Sequence, residues 1–270
     1  MKYEFTGETK ELSDGIVLRQ IRLLRESLGQ YSRGQLGGWI ENELNLSQED
    51  DSWVADEAMV FDNAKVYGSA KVYGNAKVYG AAEVFDNAKV FGNARVYGDA
   101  KVYGNADVFD NAKVYGSADV YGNAKVYWYA EVLQSAEVYG NAKVCGQSHI
   151  SGQSKIYGNT MVTGDICVYG KAQLSLGVIP GGGSFRLSGD ASIHGDAIVM
   201  ASIPFANRSD GYTFSVSNTP DGPRVIAGCR YFTFEEAREH WITTRGGTRL
   251  GVETLLILDY LESMTQIRNM

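Results

Sequence analysis

Residues 64–80 read Ala-Lys-Val-Tyr-Gly-Ser-Ala-Lys-Val-Tyr-Gly-Asn-Ala-Lys-Val-Tyr-Gly, which is almost three copies of one six-residue unit. Stepping by six residues from Val54 to Leu174 meets 21 successive positions that hold Val, Ile or Leu. The residue two positions before each of these is small in most hexads, and it is always Ala from Ala58 to Ala142. A short and unbroken period of this kind indicates a solenoid whose units stack on one another.

The repeat unit itself predicts the geometry of one coil. In a strand, successive side chains point to opposite sides, so Ala and Val face inward while Lys and Tyr face outward. The following Gly-Asn pair tolerates the backbone angles of a tight corner. Three such sides close a triangle, so equivalent positions recur every 18 residues. Neighbouring coils then lie roughly 4.8 Å apart, as strands do in a sheet.

This pattern resembles the left-handed hexapeptide β-helix, in which an aliphatic residue follows a small residue by two positions. The resemblance implies the left hand, whereas alternation and period predict only a β-solenoid. The expected fold is therefore all-β, a left-handed parallel β-helix of triangular coils with an N-terminal β cap and a short C-terminal helical cap. Both caps are expected because an open solenoid otherwise exposes unpaired strand edges.

The chain divides into three predicted regions. Residues 1–52 form an N-terminal β-hairpin cap with the first coil, and 53–201 form the β-helix with a loop at 176–184. Residues 202–270 hold an irregular or hairpin segment and a two-helix cap. The sequence Thr233-Phe-Glu-Glu236 is a capping box that opens the first helix, and a second helix spans about 252–264.

Outward aromatic residues follow the core aliphatic residue in 15 of the 21 hexads and form three columns. Such ladders can stabilise neighbouring strands by stacking, or one column can form an oligomer interface or a ligand platform. Tyr97 and Tyr115 lie in one column and are candidate binding residues. At Tyr127-Trp128-Tyr129, two aromatic residues replace the usual corner pair. This corner either packs against a cap or partner, or forms part of a ligand site.

Candidate catalytic residues are few. His149 and His194 point outward from their hexads and are candidate bases, since a histidine with a pKa near neutrality can deprotonate a hydroxyl or amine. The alternative is that both are solvated surface residues. The spacing of Cys and His matches no metal site, and Gly181-Gly182-Gly183 lacks the Lys and Ser or Thr of a phosphate-binding loop.

Segments at both ends of the chain are similar to the YdcK-like hexapeptide-repeat proteins of enterobacteria, phages and prophages. The resemblance lies in Tyr3-Glu-Phe-Thr-Gly7, in Gly34-Gln-Leu-Gly-Gly-Trp-Ile-Glu41, in the repeats and in Ile226-Ala-Gly-Cys229. Members are labelled acyltransferases on the strength of their fold, which does not establish chemistry. Acyltransferases of the wider superfamily are commonly trimers that use acetyl-CoA or another acyl-CoA and a catalytic histidine between subunits.

Three functions stay open at this point. The first is a non-enzymatic scaffold or binding protein, expected to form a homo-oligomer, with a trimer favoured, to contact a protein partner and to need no cofactor. The second is a CoA-dependent acyltransferase with acetyl-CoA or acyl-CoA as donor. The third is a nucleic-acid-binding platform, because two outward faces combine Lys with aromatic residues. A net charge of −7 disfavours this last function.

The expected location is the cytoplasm. The chain shows no N-terminal signal segment and no apolar run of membrane-spanning length. Its three cysteines are odd in number and none forms a Cys-x-x-Cys pair, which is typical of free thiols in a reducing compartment. No membrane contact is expected.

Overall fold

The computed structural model describes residues 1–175, 178–179, 184–187, 192–194, 205–219, 222–227 and 230–268. These residues form a parallel β-solenoid of about 8 turns, then a small antiparallel sheet and two helices. The predicted parallel β-solenoid with β and helical ends is confirmed.

The N-terminal region precedes the regular repeats. It contains β1 (Tyr3–Glu11), β2 (Val17–Leu23), β3 (Ser27–Leu28), β4 (Tyr31–Ser32), β5 (Leu36–Ile40) and a short 3-10 helix (Glu43–Asn45). Strands β1 and β2 form an antiparallel hairpin, and β2 pairs antiparallel with β5. The hairpin therefore covers the first edge of the solenoid.

The solenoid strands are short because each ends at a corner. They are β6 (Trp53–Val54), β7 (Met59–Val60), β8 (Lys65–Val66), β9 (Lys71–Val72), β10 (Lys77–Val78), β11 (Glu83–Val84), β12 (Lys89–Val90), β13 (Arg95–Val96), β14 (Lys101–Val102), β15 (Asp107–Val108), β16 (Lys113–Val114), β17 (Asp119–Val120), β18 (Lys125–Val126), β19 (Glu131–Val132), β20 (Glu137–Val138), β21 (Lys143–Val144), β22 (His149–Ile150), β23 (Lys155–Ile156), β24 (Met161–Val162), β25 (Asp165–Val168), β26 (Gln173–Ser175), β27 (Val178–Ile179), β28 (Ser184–Leu187) and β29 (Ser192–His194).

Every third strand belongs to the same parallel sheet, which gives the solenoid three faces. Face 1 runs from β5 through β7, β10 and every third strand to β28; face 2 runs from β8 to β29, and face 3 from β6 to β27. The register is strict over the regular coils. Lys113 pairs with Glu131, and Glu131 pairs with His149. The 18-residue spacing predicted from the sequence is therefore the spacing of stacked neighbours.

The core is the inward half of the repeat. The Val and Ala positions from Ala58 to Val144 are almost completely inaccessible to solvent. Where Ser148, Ser154 and Thr160 replace Ala, each hydroxyl donates to a main-chain carbonyl three residues earlier, at 2.6–2.7 Å. Each buried hydroxyl thus has a hydrogen-bond partner and adds no unpaired polar group to the core.

The solenoid begins before the first regular hexad. Ile40 pairs with Val60, and Leu46 forms a parallel bridge to Val66, so both lie one coil ahead of the repeat. Gly38 fills the small position of this first coil, where an added Cβ would lie 2.6 Å from the Ala58 carbonyl oxygen. The first coil predicted within 1–52 is therefore built on Ile40 and Leu46.

The predicted loop at 176–184 contains a strand. Within it, β27 pairs parallel with β24, so that Ile179 is the partner of Val162 and the solenoid continues. The repeat signal fails here because Val162 and Ile179 are 17 residues apart rather than 18. Most of the predicted loop lies outside the described residues, namely 176–177 and 180–183. The resumed hexad position Val199 also lies outside them.

The C-terminal region is a sheet covered by two helices. The predicted hairpin is part of a four-stranded antiparallel sheet of β30 (Phe205–Asn207), β31 (Thr213–Thr219), β32 (Gly222–Ala227) and β33 (Arg230–Phe232), followed by α1 (Phe234–Arg245) and α2 (Arg249–Arg268). Thr233 and Glu236 form the predicted capping box at the start of α1. Val225 and Ala227 pack with the helices, whereas Ile226 between them belongs to the solenoid core.

The outward aromatic residues form stacked ladders. This is one of the two alternatives that the sequence left open for these residues. Successive rings lie 4.8–5.1 Å apart with interplanar angles of 1–5°. Outward charges also pair along the columns, as in Lys113–Glu131 and Lys155–Glu137. Each ladder ring is therefore stacked on the ring of the next coil.

Candidate functional site

The corner position that follows each outward aromatic residue has a left-handed backbone. Most coils place glycine there, with φ near +70°. Six corners carry another residue with φ between 54° and 60°: Asp56, Asp62, Asp86, Asp110, Trp128 and Gln134. A side chain at such an angle costs about 1–2 kcal/mol relative to glycine.

At five of these six corners, the side chain forms a hydrogen bond in return. Asp62 Oδ2 accepts from the Gly80 N–H at 3.0 Å, and Gln134 Oε1 accepts from the Gly152 N–H at 2.6 Å. Asp56, Asp86 and Asp110 accept in the same way from the coil that follows. These side chains link successive coils at their corners, which offsets the backbone strain.

Trp128 is the exception among these six. Its indole has a hydrogen-bond donor but no acceptor, so it cannot accept a hydrogen bond from the N–H of the next coil. Trp128 is 52% exposed, and among the described residues its ring contacts Tyr127, edge-on at 5.6 Å. The equivalent residue one coil later is Gly146, which places no side chain over the indole. Trp128 is thus strained and exposed, without the hydrogen bond that the other corners form.

Tyr129 extends this aromatic corner toward face 1. Its side chain is 64% exposed, and the equivalent positions in the adjacent coils hold Asn111 and Gln147, which provide no ring for stacking. Tyr129, Glu131, Gln147 and His149 line a shallow, open depression of about 310 Å³. The Trp128 corner is defined here as Trp128 together with these four residues.

Glu131 is the centre of the polar network in the Trp128 corner. Its Oε1 accepts from Lys113 Nζ at 2.7 Å, and its Oε2 accepts from the Tyr115 hydroxyl at 3.2 Å. Oε2 also lies 3.5 Å from Nδ1 of His149, whose side chain is 41% exposed. Burial raises the pKa of Glu131, but the bonds from Lys113 and Tyr115 outweigh it, so the net pKa is lowered. The carboxylate is therefore ionised at neutral pH and its charge is balanced by Lys113.

The predicted site residues fall into two groups. The structure brings Tyr129 and His149 together at the depression. Trp128 directly precedes Tyr129 and contacts Tyr127 edge-on, and Tyr115 is bonded to Glu131. Tyr127 and Tyr115 are also the last rings of their ladders, stacked on Phe109 and Tyr97. Burial raises the pKa of both tyrosines to about 12, so each keeps its proton.

The remaining two candidates lie elsewhere. Tyr97 is an interior ring of the face 1 ladder, between Tyr79 and Tyr115. Its ring faces are covered on both sides. His194 ends β29 on face 2, and its side chain lies outside the described part of the structure. Neither residue is joined to the Trp128 corner by the described contacts.

Sequence reasoning missed Glu131 and Gln147. The available signal was the 18-residue spacing, which stacks Glu131 on His149 and Gln147 on Tyr129. The spacing alone does not reveal that these two columns enclose one depression, because that depends on how the side chains leave the corner.

A second depression provides a comparison. It measures about 370 Å³ and is lined by Ser135, Glu137, Gln153, Lys155, Lys171 and Gln173. It has the same placement beside a corner but no aromatic residue. Within the described ranges, no group of three or more His, Cys, Asp or Glu side chains could hold a metal ion.

The fold and the corner define the class of this protein as a parallel β-solenoid with an aromatic corner site. Comparison with models of known protein families and with curated proteins finds no match for this chain. Neither helix in the described part of the chain is long and apolar enough to cross a lipid bilayer.

Proposed function

We propose that this chain is a non-enzymatic β-solenoid scaffold that binds a partner through the Trp128 corner. The observation that carries the proposal is Trp128 itself, a strained and half-exposed residue without the hydrogen bond formed at the other five non-glycine corners. Backbone strain persists where a structure over-determines it, and it concentrates at functional sites. A large exposed aromatic side chain is also typical of binding surfaces.

The solenoid supports a scaffold role because its regular interior is filled. Ala and Val occupy the inward positions with no solvent exposure, so a ligand must bind on the outside. Most outward rings are stacked in ladders and present their edges only. Within the described regular coils, Trp128 and Tyr129 are the most exposed aromatic residues, followed by Tyr169 at 42%, and they are the two that lie side by side.

The decisive experiment returns the corner to the repeat consensus with the double substitution Trp128→Asp and Tyr129→Asn. Aspartate holds the equivalent corner one coil earlier, and asparagine holds the position next to it. The substitution keeps a side chain at the left-handed angle, but an aspartate there can accept a hydrogen bond from the next coil, as Asp110 does, and this bond should offset the lost ring contact. The free energy of unfolding should then stay within about 1 kcal/mol of wild type. A loss above about 2 kcal/mol would mean that the aromatic pair is structural, and the proposed function would fail.

A specific observation also favours a CoA-dependent acyltransferase as the second candidate. Glu131 lies 3.5 Å from Nδ1 of His149, which is the arrangement of a base held by a carboxylate. Such an enzyme should release free thiol from acetyl-CoA in the presence of an amine acceptor, and His149→Gln should abolish this release. A scaffold should release none in either form.

The nucleic-acid platform has less support. Bases stack on ring faces, and the ladder rings already cover each other. Several lysines of these faces pair with carboxylates, as in Lys125–Asp107.

The likeness to the YdcK-like proteins, a phage or prophage origin and a trimeric state remain proposals from the sequence. Light scattering on the wild-type protein tests the trimer directly. If the partner at the Trp128 corner is a second copy, the double substitution should also reduce the measured mass to that of a monomer.

A further inference from the structure

We propose that the Trp128 corner binds a neutral saccharide chain. This inference rests on the proposed function and names the chemical class of its ligand. Two features point to it: open aromatic faces, and hydrogen-bonding groups whose charges are already balanced within the protein.

The rings of Trp128 and Tyr129 differ from those of the ladders in how much of their surface is free. Ladder rings such as Phe91 are covered by neighbours 4.8 and 4.9 Å away. Trp128 and Tyr129 instead stand outside the ladders and are more than half exposed. The C–H bonds on one side of a pyranose ring carry partial positive charge, and an aromatic face carries negative charge. A sugar ring can therefore pack flat on either residue.

The charges of Glu131 and Lys113 at the Trp128 corner are balanced within the protein. Glu131 accepts from Lys113 and Tyr115 and also faces His149, so neither Glu131 nor Lys113 presents an unpaired charge. A phosphate or carboxylate ligand would lack a free cation here, and an ammonium ligand would compete with Lys113. The Gln147 amide both donates and accepts, and the His149 ring offers a polar nitrogen. These groups suit the hydroxyls of an uncharged ligand.

The shape of the site fits a chain rather than an enclosed small molecule. The depression of about 310 Å³ is at the lower end of the range of about 300–1,000 Å³ for small-molecule sites. It is open to solvent, so one or two sugar units can occupy it while the chain continues over the surface. The second depression, beside Lys155 and Lys171, has polar groups but no ring on which a sugar could pack.

The test uses the full-length protein and soluble hexasaccharides of defined charge. Neutral probes are the hexamers of glucose, mannose, galactose and N-acetylglucosamine; the charged probes are glucosamine hexamer and galacturonate hexamer. Binding is followed by tryptophan fluorescence and by titration calorimetry at low and high salt. At least one neutral hexamer should bind, with an affinity that salt does not change, because no charge pair is involved.

Variants then locate the site. The double substitution Trp128→Asp and Tyr129→Asn should weaken binding of that hexamer at least tenfold. Gln147→Ala should weaken it by a smaller factor. Tyr121→Phe, in the face 2 ladder, keeps its stacked ring and should bind like wild type.

Three results would overturn the inference. In the first, the glucosamine or galacturonate hexamer binds more tightly than the neutral hexamers, and salt weakens that binding. In the second, the double substitution leaves the binding unchanged. In the third, none of the neutral hexamers binds. None of these results decides the proposed function, which stands or falls on the unfolding measurement of the same double variant.

Discussion

At the scale of single residues, the corners show how this chain tolerates side chains at left-handed backbone angles. Glycine adopts this backbone angle without strain. Aspartate and glutamine offset the strain by accepting a hydrogen bond from the N–H of the next coil. Trp128 does neither. A residue that breaks a local rule without a local compensation is expected at a functional site rather than in the framework.

The corner bond can be measured at Asp62, whose Oδ2 accepts from the Gly80 N–H. Asp62→Ala keeps a Cβ at a φ of 56° and loses the acceptor, while Asp62→Gly loses the acceptor and removes the strain. The alanine variant should therefore be less stable than the glycine variant by about 1 kcal/mol. Urea denaturation of both variants measures the difference. Equal midpoints would mean that the corner backbone is not strained.

At the scale of elements, each ladder converts a row of aromatic residues into a continuous stack. The rows exist because the strands are parallel and in register, so residues 18 apart share a column. Stacked pairs of this geometry contribute about 0.5–1.5 kcal/mol beyond their burial. The ladders explain why so many exposed positions hold aromatic residues without making a binding platform of each face.

The contribution of one stack to stability can be measured by comparing two phenylalanine residues at different places in their ladders. Neither side chain has a hydroxyl that could add a hydrogen bond. Phe91 stacks on both Tyr73 and Phe109, whereas Phe61 begins its ladder and stacks on Tyr79 alone. Leucine keeps apolar volume but cannot stack. Phe91→Leu should therefore lower the free energy of unfolding by about 1–3 kcal/mol, and Phe61→Leu by about half as much. A larger loss at Phe61 in thermal or urea unfolding would show that burial, not stacking, dominates.

At the scale of the whole molecule, the N-terminal segment is fastened to the first coil by one polar cluster. Lys2 Nζ is buried and donates to Asp50 at 3.2 Å and to the Ser52 carbonyl oxygen at 2.7 Å. Asp50 also accepts from the Ser52 hydroxyl at 2.6 Å and from the Gly68 N–H. This cluster joins the cap to strands that are close in space but about 50 residues away in sequence.

The cap cluster predicts a pH dependence of stability. Burial alone would raise the pKa of Asp50, but the hydrogen bonds from Ser52 and Gly68 outweigh it and lower the pKa to about 2. The stabilisation is therefore fully present above the ordinary carboxyl pKa and is lost as pH falls toward 2. Asp50→Asn should lower the free energy of unfolding by about 2 kcal/mol at pH 7, and the two proteins should converge only as the pH falls to about 2. A difference that persists at low pH in urea titrations would contradict this assignment.

The candidate site was only partly predictable. Trp128, Tyr129 and His149 stand out in the sequence because each replaces a repeat residue. Tyr97 is a candidate binding residue by its outward position in the repeat, but it is stacked on Tyr79 and Tyr115 on its two sides. Glu131 attracts no notice in a sequence rich in outward charges. Its importance lies in three contacts, two from the preceding coil and one from the following coil, which no local pattern encodes.

The solenoid, its inward and outward rows and the composition of its ladders follow from the sequence alone. These features repeat every six residues, and alternation along a strand is a local property of the backbone. Other features required the three-dimensional structure: the depression enclosed by Tyr129, Glu131, Gln147 and His149, the contact of Lys2 with Asp50, and the sheet of four C-terminal strands. Those arrangements depend on side-chain directions and on contacts between distant segments. They carry no period, so the sequence offers no repeating signal from which to derive them.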